Sequence, residues 1–209
     1  MKYRYIVVEG AIGSGKSTLA RLLAAHYDGD LIMEDPNANP FLPDFYRDMK
    51  RHALATQMFF LFQRVNQLSA VAQPELFARK TIADYMLAKD ALFAKLTLDD
   101  NEFKLYQQLY NHLQPQVPKP DLVIYLQTSV DQLLARIAKR GRPMERNISE
   151  EYLVKLTDAY TRYFYDYADS PLLIINSDRF NFAANREDLK LLIKQVESIR
   201  GGKEYFNAT

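Results

Sequence analysis

Apolar and polar positions alternate along this chain in blocks of two lengths, short runs of strand character and longer stretches of helical period. Tyr3, Tyr5, Ile6, Val7 and Val8 form a first aromatic and β-branched run, as a buried strand requires. Leu19, Leu22, Leu23 and His26 then recur at helical spacing, which predicts a helix beginning at Lys16. Further strands are predicted at 31–33, 80–84, 121–127 and 172–175, the run Leu122, Val123, Ile124, Tyr125 and Leu126 being the clearest. A short helix with Phe45 and Tyr46 should follow the Asn/Pro-rich loop 37–43, and a long glycine- and proline-free helix should cover 52–72, ending before Pro74. Another helix is predicted at 86–96. The next is capped within Asp99-Asp100-Asn101 and gathers Phe103, Tyr106, Leu109, Tyr110 and Leu113 on one face. One more ends at Lys139, and two cover 149–167 and 185–200, after which the tail is expected to fray. Strands alternating with helices predict one three-layer α/β domain over 1–209, with a mostly parallel sheet of about five strands.

Between the first strand and first helix stands Gly10-Ala11-Ile12-Gly13-Ser14-Gly15-Lys16-Ser17-Thr18, which fits G-x-x-x-x-G-K-[ST]. A polyphosphate needs many donors at close range, so the loop must wrap its N–H groups around the anion, and glycine permits the positive φ angles this demands. The helix start adds free N–H groups and the positive end of its dipole. Lys16 is expected to reach the β- and γ-phosphates, and Ser17 to ligate Mg²⁺. A plain glycine-rich turn would need neither the lysine nor the hydroxyl. The three-layer architecture is thus expected to be a P-loop kinase fold with ATP as donor. Ligands of such sheets gather at the carboxyl ends of the strands, where Glu34 and Asp84 also lie.

Composition narrows the partners. Over 209 residues the formal charge is +1, which provides no global field for nucleic acid or an anionic membrane and favours a small substrate. The absence of cysteine removes disulfide and thiolate chemistry. No apolar run approaches the ~20 residues of a membrane span, and the chain enters its first strand almost at once, so a cytoplasmic enzyme is expected.

Three other constellations suit phosphoryl transfer to a hydroxyl. Glu34, ending the second strand, is placed to take a proton near the γ-phosphate, although a solvated strand-end carboxylate would look the same. Gln57 and Arg64 share one face of the long apolar helix; Gln57 can present donor and acceptor to a base edge, and Arg64 can be buried only if paired, with Asp90 a plausible partner. Both would equally well point into solvent. Arg136, Lys139, Arg140, Arg142 and Arg146 surround Gly141; a helix C-terminus favours cations, but the arginines beyond the glycine exceed that need and suggest a basic lid at about 137–148 over a triphosphate.

These residues resemble the deoxynucleoside kinase family, in particular its bacterial deoxyadenosine and deoxyguanosine kinase branch, over nearly the whole chain. The resemblance implies that Glu34, followed by Asn39-Pro40-Phe41, is the base for the 5′-hydroxyl and that Tyr46 meets the sugar 3′-hydroxyl. It implies base recognition by Gln57, Arg64 and Asp90, phosphate contacts from Arg136, Arg140 and Arg142, and a 3′-hydroxyl contact from Glu145. Residues 176–182, with Asp178 and Phe180, are similar to the loop around the adenine of ATP. Asp84 matches the family's acidic residue and would help hold Mg²⁺. The arginine that follows it in the family, where it supports the 5′-hydroxyl and the base carboxylate, is replaced by Tyr85. Either a lid arginine or Lys80 compensates, or the enzyme is slow, or the site has another task.

The resulting expectation is transfer of the ATP γ-phosphoryl group to the 5′-hydroxyl of a deoxynucleoside, most simply deoxyadenosine, by a homodimer that pairs its apolar helices. Kinases of other nucleosides or nucleotides, and a catalytically weak ATP-binding protein, stand as alternatives. A GTPase-type switch has no residues to support it, since N-K-x-D and D-x-x-G are both missing after the loop.

Overall fold

A computed structural model describes residues 3–71, 79–178 and 180–207. Among them are six strands, β1 (Tyr5–Gly10), β2 (Asp30–Ile32), β3 (Thr81–Ala83), β4 (Leu122–Gln127), β5 (Leu172–Asn176) and β6 (Lys203–Phe206). They form one parallel sheet in the order β2-β3-β1-β4-β5-β6. The helices are α1 (Lys16–Tyr27), α2 (Leu42–Phe45), α3 (Met49–Val71), α4 (Ala88–Thr97), α5 (Asp100–Leu113), α6 (Val130–Arg140), α7 (Glu150–Asp166) and α8 (Arg186–Ser198).

β1 is buried throughout and pairs on both edges, Val7 lying opposite Ala83 of β3 and Val123 of β4. Because successive strand residues point to opposite faces, the sheet is covered twice. Ile6, Val8, Leu122, Ile124, Leu173 and Ile175 pack against Leu19 and Leu23 of α1 and Leu192 and Val196 of α8. Tyr5, Val7, Val123 and Tyr125 pack against α3, α5, α6 and α7 through Leu61, Val65, Tyr106, Leu133, Tyr160 and Phe164. Three layers result, as the alternation of strands and helices implies. The same alternation turns Glu9 toward the α7 side, where it is fully buried.

Two sequence expectations change. The sheet has six strands rather than five, because residues 203–206 pair with β5 instead of fraying. Lys203-Glu204-Tyr205-Phe206 lies at an edge, where half-exposed polar side chains are tolerated, so its period carries no burial signal. The aromatic stripe of α5 also turns inward: Tyr106 is buried, and Phe103, Leu109, Tyr110 and Leu113 pack on the same core. Asp99 caps this helix in a capping box with Glu102. The expected end of the long helix at 72, before Pro74, lies outside the described residues.

Candidate active site

The glycine-rich loop connects the carboxyl end of β1 to α1, beside β4, where chain connections leave the sheet in opposite directions. That topological switch point is where open parallel sheets bind ligands. Gly13 adopts φ +89°, and a Cβ there would lie 3.0 Å from the Leu133 carbonyl of α6, so this position needs glycine for both conformation and space. Lys16 Nζ donates to the Ala11 carbonyl at 3.0 Å. Burial, with repulsion from Lys89, lowers its pKa to about 8. Ser17 Oγ donates to Asp84 Oδ2 at 2.5 Å, while Asp84 Oδ1 accepts from the Glu34 amide at 2.8 Å. Asp84 thus ties the first turn of α1 to the segment after β2.

Two cavities meet at this loop. One, of about 490 Å³, is lined by Glu34, Tyr46, Gln57, Arg64, Asp84, Lys89, Phe93, Glu145 and Tyr152. The other, of about 520 Å³, is lined by Ser14, Gly15, Arg136, Lys139, Phe180, Asn181 and Phe182. Gly13, Lys16, Ser17, Thr18 and Arg140 face both. A group bound at the loop is therefore within reach of two ligands, one in each cavity.

In the first cavity Glu34 is clamped by two cations. Its Oε1 accepts from Arg64 through Nε at 2.9 Å and through a terminal guanidinium nitrogen, and its Oε2 accepts from Lys89 Nζ at 2.9 Å. Burial works to raise the Glu34 pKa, but Arg64 and Lys89 outweigh it and hold the carboxyl far below the usual carboxylate range. Arg64 also pairs with the fully buried Asp90. The sequence expectation that this arginine must be paired is met, and by two carboxylates rather than one. Asp90 itself, whose pKa is raised to about 6 chiefly by burial against the pull of Arg64, stands behind Arg64 rather than on the cavity wall. Gln57 does line the wall, and its Nε2 donates to Thr97 Oγ1 at 3.2 Å.

In the second cavity Arg136 grips the loop itself, donating to the Ser14 carbonyl at 3.1 Å and the Ser177 carbonyl at 2.7 Å. Arg140 donates to Glu145 Oε2 at 2.6 Å, and Arg142 lies 3.6 Å from the other oxygen of that carboxylate. The basic turn around Gly141 thus folds over the loop with its two nearest arginines held by a buried glutamate. Glu145 and Tyr46 both line the first cavity; burial, then the Glu145 and Glu34 charges, raise the Tyr46 pKa and keep it a neutral phenol. Phe180 lines the cavity and packs edge-on against Phe206 of β6, ring centres 5.2 Å apart. Asp178 does not line it: its carboxylate accepts from the Ser129 amide at 3.0 Å, just before α6. Arg179, within the expected adenine loop, lies outside the described residues.

Neither Lys80 nor a lid arginine pairs with Glu34, which meets Arg64 and Lys89 instead. Lys80 sits at the opposite end of β3, 4.4 Å from the ring centre of Tyr27, and Arg140 and Arg142 face Glu145. Tyr85 is buried and donates to Gln67 Oε1 at 2.6 Å. Lys89, which sequence reasoning missed, is the second cation on Glu34. Its only sequence signal was a lysine set between Met86-Leu87-Ala88 and Asp90 in a stretch otherwise destined for burial. Glu9 was missed too; it accepts from the Gly10 and Met86 amides and from the Tyr160 hydroxyl. Several buried polar atoms on residues that line the first cavity have no partner among the described residues, among them Gln57 Oε1, Thr56 Oγ1 and Tyr152 Oη. Buried polar groups are rarely left so, and these are the atoms a polar ligand would satisfy.

Residues 6–200 match the family model described as deoxynucleoside kinase. A deoxyadenosine kinase of Lactobacillus acidophilus is 33% identical, covering 92% of this chain and 94% of its own. A deoxyguanosine kinase of Bacillus subtilis is also 33% identical, covering 93% and 97%. Among solved structures, the deoxyadenosine kinase from M. mycoides with bound dCTP superposes with a TM-score of 0.80 at 26% identity, covering 93% of this chain and 99% of that one. The P-loop, the clamped carboxylate at the end of β2 and the paired cavities therefore belong to a member of the deoxynucleoside kinase family, a transferase of the P-loop kinase fold.

Proposed function

We propose that this kinase transfers the γ-phosphoryl group of ATP to the 5′-hydroxyl of deoxyadenosine, with triphosphate in the second cavity and nucleoside in the first. As the 5′-oxygen bonds to the γ-phosphorus, the bond to the β–γ bridging oxygen breaks, ADP leaves, and the hydroxyl proton passes to Glu34. Arg64 and Lys89 keep that carboxylate ionised before the reaction and hold it in place. Lys16 and Arg140, which face both cavities, stabilise charge on the moving group. Ser17 and Asp84 offer one hydroxyl and one carboxylate, a hard-oxygen pair that suits Mg²⁺ held mainly by phosphates and water. When bound, the ion would neutralise the β- and γ-oxygens. Tyr46 and Glu145 would hold the sugar 3′-hydroxyl.

An uncharged acceptor accords with the charge count. The buried cations of the first cavity, Arg64 and Lys89, are already offset by Glu34 and Asp90. A cytoplasmic setting accords with a cysteine-free chain. Two copies are proposed to pair through α3 and α5, where Phe62 and Leu105 remain 46% and 50% exposed.

One observation carries the choice of base. Thr97 Oγ1 donates to the Phe93 carbonyl at 2.7 Å, so its hydroxyl proton is used and it can only accept from Gln57. The amide is thereby turned with Nε2 on Thr97 and Oε1 without a partner among the described residues. An acceptor there suits the exocyclic amino group of adenine and opposes the 6-keto oxygen of guanine. The wild type should show a higher kcat/KM for deoxyadenosine than for deoxyguanosine. Thr97→Val, which frees the amide to flip, should shrink that ratio by about tenfold, the worth of one polar contact. A preference for deoxyguanosine, or an unchanged ratio in the variant, would contradict the assignment.

A further inference from the structure

The contacts of Glu34 are unequal, and the inequality assigns a role. A carboxylate oxygen accepts about two hydrogen bonds. Oε1 is filled by Nε and a terminal nitrogen of Arg64. Among the described residues Oε2 takes one, from Lys89, and retains a lone pair. The oxygen open to a reacting hydroxyl is therefore the one beside Lys89. Lys89 is 5% exposed on the first turn of α4, its ammonium 5.7 Å from the ring centre of Phe93, and like Glu34 it lines the first cavity.

We propose that Lys89 is the positioning residue for phosphoryl transfer in this protein, holding Glu34 Oε2 so that its free lone pair meets the acceptor hydroxyl. Arg64 alone does not fix that oxygen, because both of its contacts are to Oε1. Lysine suits the place: a compact ammonium contacts one oxygen and leaves the other side of it open, whereas a planar guanidinium tends to engage both positions of a carboxylate edge. The burial of Tyr85 against Gln67 fits the same division of labour, since the position directly after Asp84 supplies packing and the cation arrives from the next helix. The inference rests on the reading of Glu34 as proton acceptor, and the two can fail separately.

The test is a double-mutant cycle on the full chain, with Lys89→Met, Glu34→Gln and the pair, measured with Mg·ATP and deoxyadenosine. Lys89→Met should lower kcat about 10- to 100-fold, the scale on which misplacing a reacting group is felt, with the KM for ATP within about twofold of wild type. If Lys89 acts through Glu34, the same substitution should cost less than about threefold once Glu34→Gln is present. Lys89→Gln, which keeps one donor, should recover part of the loss, and it carries the same comparison should the methionine variant fail to fold. Wild-type kcat in Lys89→Met, or an equal loss in both backgrounds, would overturn the role of Lys89. Wild-type kcat in Glu34→Gln would instead overturn the proton-acceptor reading.

Discussion

Lys16 shows how one residue's surroundings translate into a measurable pH dependence. Burial, with Lys89 nearby, lowers its pKa to about 8, and a bound triphosphate must raise it by favouring the ammonium. Below pH 8 the lysine is charged before and after binding, so ATP affinity should be flat. Above it, binding takes up a proton, and affinity should fall by up to about tenfold per pH unit. Titration calorimetry in two buffers of different ionisation enthalpy would report that uptake; constant affinity from about pH 7 to 9.5 would contradict it. At this scale the sequence was readable where a residue's chemistry leaves few options. A buried arginine needs a carboxylate, so Asp90 could be named as a plausible partner of Arg64, while the sequence left both Gln57 and Arg64 equally free to face solvent. Lys89 could not be named, because the same residue type on an exposed turn would be a solvated charge, and only the approach of α4 to the segment after β2 makes it a partner of Glu34.

Elements were legible in proportion to how much of their pattern burial dictates. β1, β4 and β5 carry unbroken buried runs, and the loop motif fixes where α1 begins. Both were evident from residue type and period alone. β6 has no such run, because its place depends on one edge of β5 and on Phe206 meeting Phe180. The missed strand thereby buttresses the wall of the second cavity. The basic turn after α6 was recognised as exceeding what a helix C-terminus needs, yet its division of labour was hidden. Arg136 braces the loop through Ser14 and Ser177, whereas Arg140 and Arg142 meet Glu145. That split follows from helix phase together with the tertiary position of β5, and the latter is invisible to spacing.

For the whole molecule, a parallel sheet places the ends of β1, β2 and β3 side by side, and so brings Lys16, Glu34 and Asp84 together from distant parts of the chain. Outside that edge, α3 and α5 each expose a large apolar side chain, Phe62 and Leu105. If two copies pair there, sedimentation at micromolar concentration should give about twice the 24.3 kDa of one chain, and replacing Phe62 and Leu105 by charged residues should return the single-chain mass. A single-chain mass for the wild type would refute the pairing. The central claim is that the two cavities exchange a phosphoryl group across the loop, with the nucleoside 5′-hydroxyl as acceptor. Phosphorus NMR of the protein with Mg·ATP and deoxyadenosine tests it most directly. The account predicts that the γ-phosphate signal is replaced by a 5′-phosphate monoester of deoxyadenosine, formed in step with ADP and about 10²- to 10⁴-fold more slowly in Glu34→Gln. Conversion of ATP to ADP and inorganic phosphate, with the nucleoside unchanged, would contradict it.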